Sequence, residues 1–146
     1  MTTSAQTTSF TLHNPAGLYD PSQNGYSHTA AVNADAQLIF LAGQGGEDSE
    51  GRLPGSFAEQ AAQALKNVGT ALGHHGADIG DVFKLTLLIV DHDVQKLREW
   101  VAALDEAWGD RTKPVCTLIP VSRLALDGML VEIEAVAAIE RSRPRD

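Results

Sequence analysis

The chain has 146 residues, 19 acidic against 11 basic side chains, a formal net charge of −8 and one cysteine. That length suits one domain with a core of its own, and one cysteine excludes both an internal disulfide and a cysteine zinc site. The negative charge argues against nucleic acid as the main partner, because phosphate binding requires a basic surface.

Residues 1–9, mostly Thr and Ser, read as a flexible end, as does the polar 141–146 segment. The first basic side chain is Arg52, so neither a secretory nor a mitochondrial leader pattern is present, and a cytoplasmic protein is expected. No apolar run approaches a membrane span; the Leu87–Val90 stretch is far too short. Asn, Pro, Gly and Ser dominate residues 13–27, which read as an ordered loop. Thr29–Val32 and Leu38–Ala42 are β-favouring and flank residues 33–36, a plausible hairpin turn.

Gly43-Gln44-Gly45-Gly46 follows. It lacks the dinucleotide and P-loop patterns, and Glu47, Asp48 and Glu50 would repel phosphate, so a turn is the reading. A helix then begins at Ser56, with Glu59 in capping-box spacing. Phe57, Ala61, Leu65, Val68 and Leu72 form its apolar stripe, and Gly73 ends it. His74-His75 and Asp91-His92-Asp93 resemble metal ligands only in composition. Their spacing does not suit a site, and neither a metal nor a cofactor is expected.

Val82–Val90 predicts a central strand. Asp93 caps a second helix with Val94, Leu97, Val101, Leu104 and Trp108 on its apolar face, closed by Gly109. Val115–Val121 and Met129–Ile139 complete the order β-β-α-β-α-β-β. That order predicts an α+β fold, a mixed sheet with both helices on one face and right-handed crossovers. Along the last strand Val131, Ile133, Ala135, Ala137 and Ile139 share one face, which belongs under the helices. Glu132, Glu134, Val136, Ala138 and Glu140 share the other, for which the predicted elements leave no covering layer. A homo-oligomer covering that face is expected.

Glu132 and Glu134 on one face suit proton transfer if partly covered, and solvated surface acids if not. Arg123 ends the preceding strand, where pairing with one of these acids and binding substrate are both open to it. Cys116 reads either as a small buried apolar residue or as a thiol facing a pocket.

Four segments in order resemble the Rid family, the reactive intermediate deaminases, also called YjgF-like. Asn24-Gly25-Tyr26-Ser27-His28 is similar to the family's Gly-Pro-Tyr-Ser-Gln, and Phe40-Leu-Ala-Gly-Gln44 to its Phe-Val-Ser-Gly-Gln. Lys113-Pro114 opens the next block, and Val131-Glu132-Ile133-Glu134-Ala135 is similar to the closing strand, so the likeness spans about Asn24 to Ile139. The resemblance implies one domain with a core over about 24–140, a chorismate-mutase-like fold and a homotrimer with ligand clefts between neighbours. It implies hydrolysis of small enamines or imines, with Glu132 positioning water and Tyr26, Cys116 and Gly43 at the substrate, where the position of Arg123 makes it a further candidate. One family feature is replaced: Pro-Ala-Arg-Ser is here Pro114-Val115-Cys116-Thr117, so a thiol stands where an arginine grips the substrate carboxylate. Two functions therefore compete, a hydrolase for uncharged imines or related electrophiles and a non-catalytic binding module. A third, ribonuclease activity attached to some relatives, sits poorly with the charge. Neither nucleic acid nor a membrane is an expected partner.

Overall fold

The computed structural model describes residues 4–6, as backbone, and 9–141. Helix α1 (Phe57–Gly73) starts where the Ser56 hydroxyl accepts the Glu59 N–H at 3.2 Å, and α2 (Val94–Trp108) where Asp93 accepts the Lys96 N–H at 2.8 Å. Both caps satisfy an amide that the first helical turn leaves without a partner. The expected α1 stripe is buried throughout. In α2 the stripe is rotated: Val94 is 61% exposed, and Trp100, outside the expected stripe, is 2% exposed. Leu97, Trp100, Leu104 and Trp108 follow helical spacing equally well, and the larger indole surface is the one removed from water.

The helices lie on a four-stranded sheet of β4 (Gln37–Phe40), β7 (Val131–Ile139), β5 (Val82–Val90) and β6 (Val115–Val121), in that spatial order. β7 is antiparallel to both neighbours and β5 is parallel to β6, so the sheet is mixed. Val131, Ile133, Ala135 and Ala137 of β7 are buried with Leu85, Leu87 and Ile89 of β5 in one core beneath α1 and α2. Among the described residues no helix is long and apolar enough to cross a membrane.

The N-terminal region departs from the sequence reading. Within residues 1–9, expected as a loose end, β1 (Ser4–Gln6) pairs with β2 (Phe10–His13), which pairs with β3 (Thr29–Val32), while residues 1–3, 7 and 8 lie outside the described residues. Residues 33–36 do turn, with the Ala36 N–H donating to Asn33 O at 3.1 Å, yet the flanking strands do not pair with each other. β3 joins the small sheet and β4 joins the large one, so the expected hairpin is a switch between sheets. That small sheet is also a layer the sequence reading left out. Phe10 and Leu12 pack on Ala138, with Phe10 and Phe83 ring centroids 5.8 Å apart, so one end of the second sheet face is covered within the chain. Much of the rest is open, with Phe40 72% exposed and Ile119 41%, although Val136 is buried at 8%. Of the C-terminal segment expected to be loose, Arg141 is described and exposed, and 142–146 lie outside the described residues.

Gln60 of α1 is 1% exposed and fully partnered. Its Nε2 donates to Pro54 O at 2.8 Å and to Gly128 O at 2.9 Å, and its Oε1 accepts the Leu130 N–H at 2.9 Å. One amide thus ties α1 to the segment entering it and to the approach to β7. Gln60→Ala removes all three hydrogen bonds, to partners that are partly or fully reachable by water, and leaves a cavity where the buried amide stood. A stability loss of about 1–3 kcal/mol is expected from urea unfolding followed by tryptophan fluorescence; an unchanged midpoint would contradict this role.

Candidate active site

Tyr26 is delivered to β6 by the chain before it. Gly25 has φ +77°, and a Cβ there would lie 3.0 Å from Leu104 Cδ1 and 3.4 Å from Val101 Cγ2, so glycine lets the backbone run against α2. Ser27 then docks on the start of β6: its N–H donates to Pro114 O at 3.0 Å and its hydroxyl to Lys113 O at 2.6 Å. The Tyr26 hydroxyl hydrogen-bonds the Tyr19 hydroxyl. His28 stands edge-on to both rings, its Nε2 donating to Tyr19 O at 2.7 Å.

Behind Tyr26 lies a cavity of about 380 Å³ between α2 and β6. Leu87, Leu97, Trp100, Cys116 and Leu118 form most of its wall, and Asn24 and Thr117 add polar atoms. Register explains the wall. Cys116 and Leu118 sit beside Leu85 and Leu87, on the helix-covered face. Burial pushes the Cys116 thiol up to about 12, against a smaller downward pull from Lys84. Burial, the Tyr19 hydroxyl and the neighbouring thiol likewise raise the Tyr26 phenol to about 12. Both groups are therefore neutral at physiological pH.

Glu132 is elsewhere. It sits beside Leu88 of β5 on the opposite face of the sheet, half-buried, with Glu134 exposed two residues on. Its carboxyl group lies on Gly43, where a Cβ would come 2.6 Å from Glu132 Cδ, so any side chain there would displace the carboxyl group. Gly43 is held there by its neighbour Gln44, which exchanges backbone hydrogen bonds with Ile133 at 2.8 and 2.9 Å. Asn67 of α1 donates to Gly45 O at 3.0 Å and Glu47 O at 2.8 Å, and Gly46 lies against the Gln60 backbone. The Gly43–Gly46 segment is thus a close-packed turn tied to α1, well before that helix begins.

Arg123 pairs with neither strand glutamate. Its guanidinium bonds Asp127 Oδ1 at 2.9 Å and Leu124 O at 3.2 Å, in an exposed turn after β6. Of the five expected site residues the fold brings together two pairs, Tyr26 with Cys116 and Glu132 with Gly43. β5 separates the strands that bear them, roughly 10 Å at about 4.8 Å per strand spacing, and the pairs face opposite ways. The sequence reading did not single out Trp100, Leu97 or Tyr19 for the site. Trp100 was detectable as a tryptophan three residues after Leu97, whereas Tyr19 reaches Tyr26 only through the course of a loop. Among the described residues no group of three or more His, Cys, Asp or Glu side chains is placed to hold a metal.

Known proteins agree with this architecture. The sequence profile of the family described as Endoribonuclease L-PSP matches residues 19–139. The chain is 36% identical over 113 residues to the 2-iminobutanoate/2-iminopropanoate deaminase of Mus musculus, covering 75% of this chain and 79% of that protein. Its fold is similar to that of YyfB, a Rid-family protein of unknown function from Yersinia pestis, with TM-score 0.84 and 27% identity over 90% of this chain and 99% of that one. Escherichia coli TdcF, solved with bound serine, is similar at TM-score 0.61 and 28% identity over 74% and 87% of the two chains. The chain belongs to the Endoribonuclease L-PSP family, that of the YjgF and Rid proteins.

The raised thiol has a direct consequence. At pH 7 to 9 native Cys116 carries far less thiolate than the same residue in the unfolded chain, roughly a thousandfold less from the shift of 9.0 to about 12. Iodoacetamide labelling of the folded protein should be slower than in urea by at least about a hundredfold. Prompt labelling of the folded protein at neutral pH would show a reactive thiol instead.

Proposed function

We propose that this protein is a Rid-type hydrolase that deaminates small imines or enamines, in a cleft completed by a second copy of the chain. The observation that carries the reading is Glu132: a carboxylate on a half-buried sheet face, seated on a glycine, at the position the family resemblance assigns to the water-positioning acid. The similarity to named imine deaminases supports the reaction class.

The chemistry asks little of the protein. In an imine R₂C=NH, water adds to the electrophilic carbon while a carboxylate accepts its proton. The proton passes to nitrogen to give the carbinolamine R₂C(OH)NH₂, and transfer of its hydroxyl proton to the amine then lets the C–N bond break to R₂C=O and NH₃. Glu132 can serve these transfers if it reaches the reacting carbon. Tyr26, neutral and aimed by Tyr19, is suited to donate a hydrogen bond to the substrate. Within one chain the sheet lies between Glu132 and the Tyr26–Cys116 cavity, so a joint site requires the glutamate of one copy to meet the cavity of another. The exposed Phe40, Leu38 and Ile119 on the uncovered sheet face give such an interface apolar area to bury. A trimer accounts for both features. The thiol at Cys116 serves as wall rather than nucleophile, since its neutral form attacks poorly. RNA cleavage is disfavoured by the net charge of −8.

Cys116 in place of the arginine also favours a second reading, a trimer that binds a metabolite without turning it over. The two separate in an ammonia-release assay on uncharged ketimines. Acceleration by the wild type, lost on Glu132→Ala and sharply reduced by Gly43→Ala through displacement of the carboxylate, is the hydrolase result. Ligand-dependent thermal stabilisation with no turnover, indifferent to Glu132→Gln, is the binder result. Sedimentation at micromolar concentration is expected to give a trimer, and a stable monomer would remove the shared cleft.

A further inference from the structure

We infer that the cavity between α2 and β6 is a subsite for an uncharged, apolar substituent of the substrate, of about the bulk of an aryl or branched alkyl group. The inference deepens the hydrolase reading and rests on it for the reaction, not for the binding. Three observations meet here. The first is size: a void of about 150 Å³ lined by apolar side chains already holds one benzene ring, and this one measures about 380 Å³. That also lies within the ordinary range of ligand pockets, about 300–1,000 Å³. The second is chemistry. Leucines 87, 97 and 118 and the Trp100 indole make the wall, and no charged side chain is among the lining residues. A carboxylate entering it would lose its water and find no cation, a cost that an alkyl or aryl group does not meet.

The third is the state of the polar groups at hand. The Cys116 thiol and Tyr26 phenol are both held neutral by burial, so neither repels an apolar group nor offers a charge. Tyr26 and Asn24 can hydrogen-bond the polar end of a ligand whose apolar end lies against Trp100. Lys84 is a cation close enough to act on the thiol, but it is not among the cavity's lining residues; it is a neighbour of Val115 in the ladder, on the opposite face from Cys116. Specificity would therefore follow from wall shape, with Cys116 setting the depth.

The test uses two probes of similar shape and opposite charge character, 2-phenylethanol and phenylacetate, titrated calorimetrically into the full-length protein. The alcohol is expected to bind at least about tenfold tighter, since the acid must bury an unpaired charge. Cys116→Leu and Leu97→Phe narrow the cavity from opposite walls, and each should weaken alcohol binding by about tenfold or more. Cys116→Arg should reverse the order of the two probes by supplying the missing cation. Equal affinities for the two probes would overturn the inference, as would undiminished alcohol binding in either narrowed variant shown by circular dichroism to be folded. Probe binding of the expected pattern in a protein that turns over no imine upholds the subsite and removes the hydrolase reading. Imine turnover without any binding of the alcohol does the reverse.

Discussion

Everything about the candidate site follows from the alternation of side chains along β7 and its two ladder partners. A strand sends successive residues to opposite faces, and the core claims Val131, Ile133, Ala135 and Ala137. Glu132 must then lie on the other face, and no local adjustment can change that without expelling four core residues. β5 transmits the same phase to β6, where Leu85 and Leu87 set Cys116 and Leu118 under α2. The acid and the cavity are thereby assigned to opposite sides of one sheet. A catalytic unit that uses both must be built from more than one copy.

The two half-sites are held by different means. Glu132 depends on a glycine that its carboxyl group overlies, and the turn carrying that glycine is anchored to α1 through the Asn67 amide, with Gly46 packed on the Gln60 backbone. A side-chain amide suits this task because it offers donors and an acceptor at once, and Asn67 uses both, accepting from Gln63 while it donates to the turn. Tyr26 depends on backbone docking instead, with Gly25 admitting the chain against α2 and Ser27 extending the edge of β6. The cavity opens beside an edge strand, where the sheet offers neighbours unpaired surface as well as a ligand entrance.

Under the proposed function, a thiol at position 116 in place of a guanidinium alters the electrostatics of the site more than its frame. A buried thiol stays neutral, and the indole and leucines around it leave an apolar recess where related sites are expected to hold a cation. The reaction class and the substrate class can therefore diverge within one family. Water addition to an imine needs a positioned carboxylate, and that group is present. Recognition of a 2-imino acid needs a fixed positive charge, and the cavity wall has none.

Much of this was legible in the sequence, because local physics decides it. Ser56 and Asp93 announce their helices by capping chemistry, the 3.6-residue stripe of α1 marks its buried face, and period two along residues 131–139 separates Glu132 from the core. The family resemblance named Tyr26, Cys116 and Glu132 as the expected site residues. What the tertiary structure alone decided is how those residues are grouped. Which strand lies beside which is a matter of long-range pairing, invisible to local pattern, and it turned an expected hairpin into a switch between sheets. It gave part of the second sheet face a cover from Phe10 and Leu12. It rotated α2 to bury Trp100, since the helix offers several faces of similar hydrophobicity and only packing against α1 and the sheet in the shared core selects one. The sequence by itself determined that a carboxylate would face away from the core; only the packed sheet decided that Cys116 faces the other way, because the phase between strands is set by register and not by any strand alone.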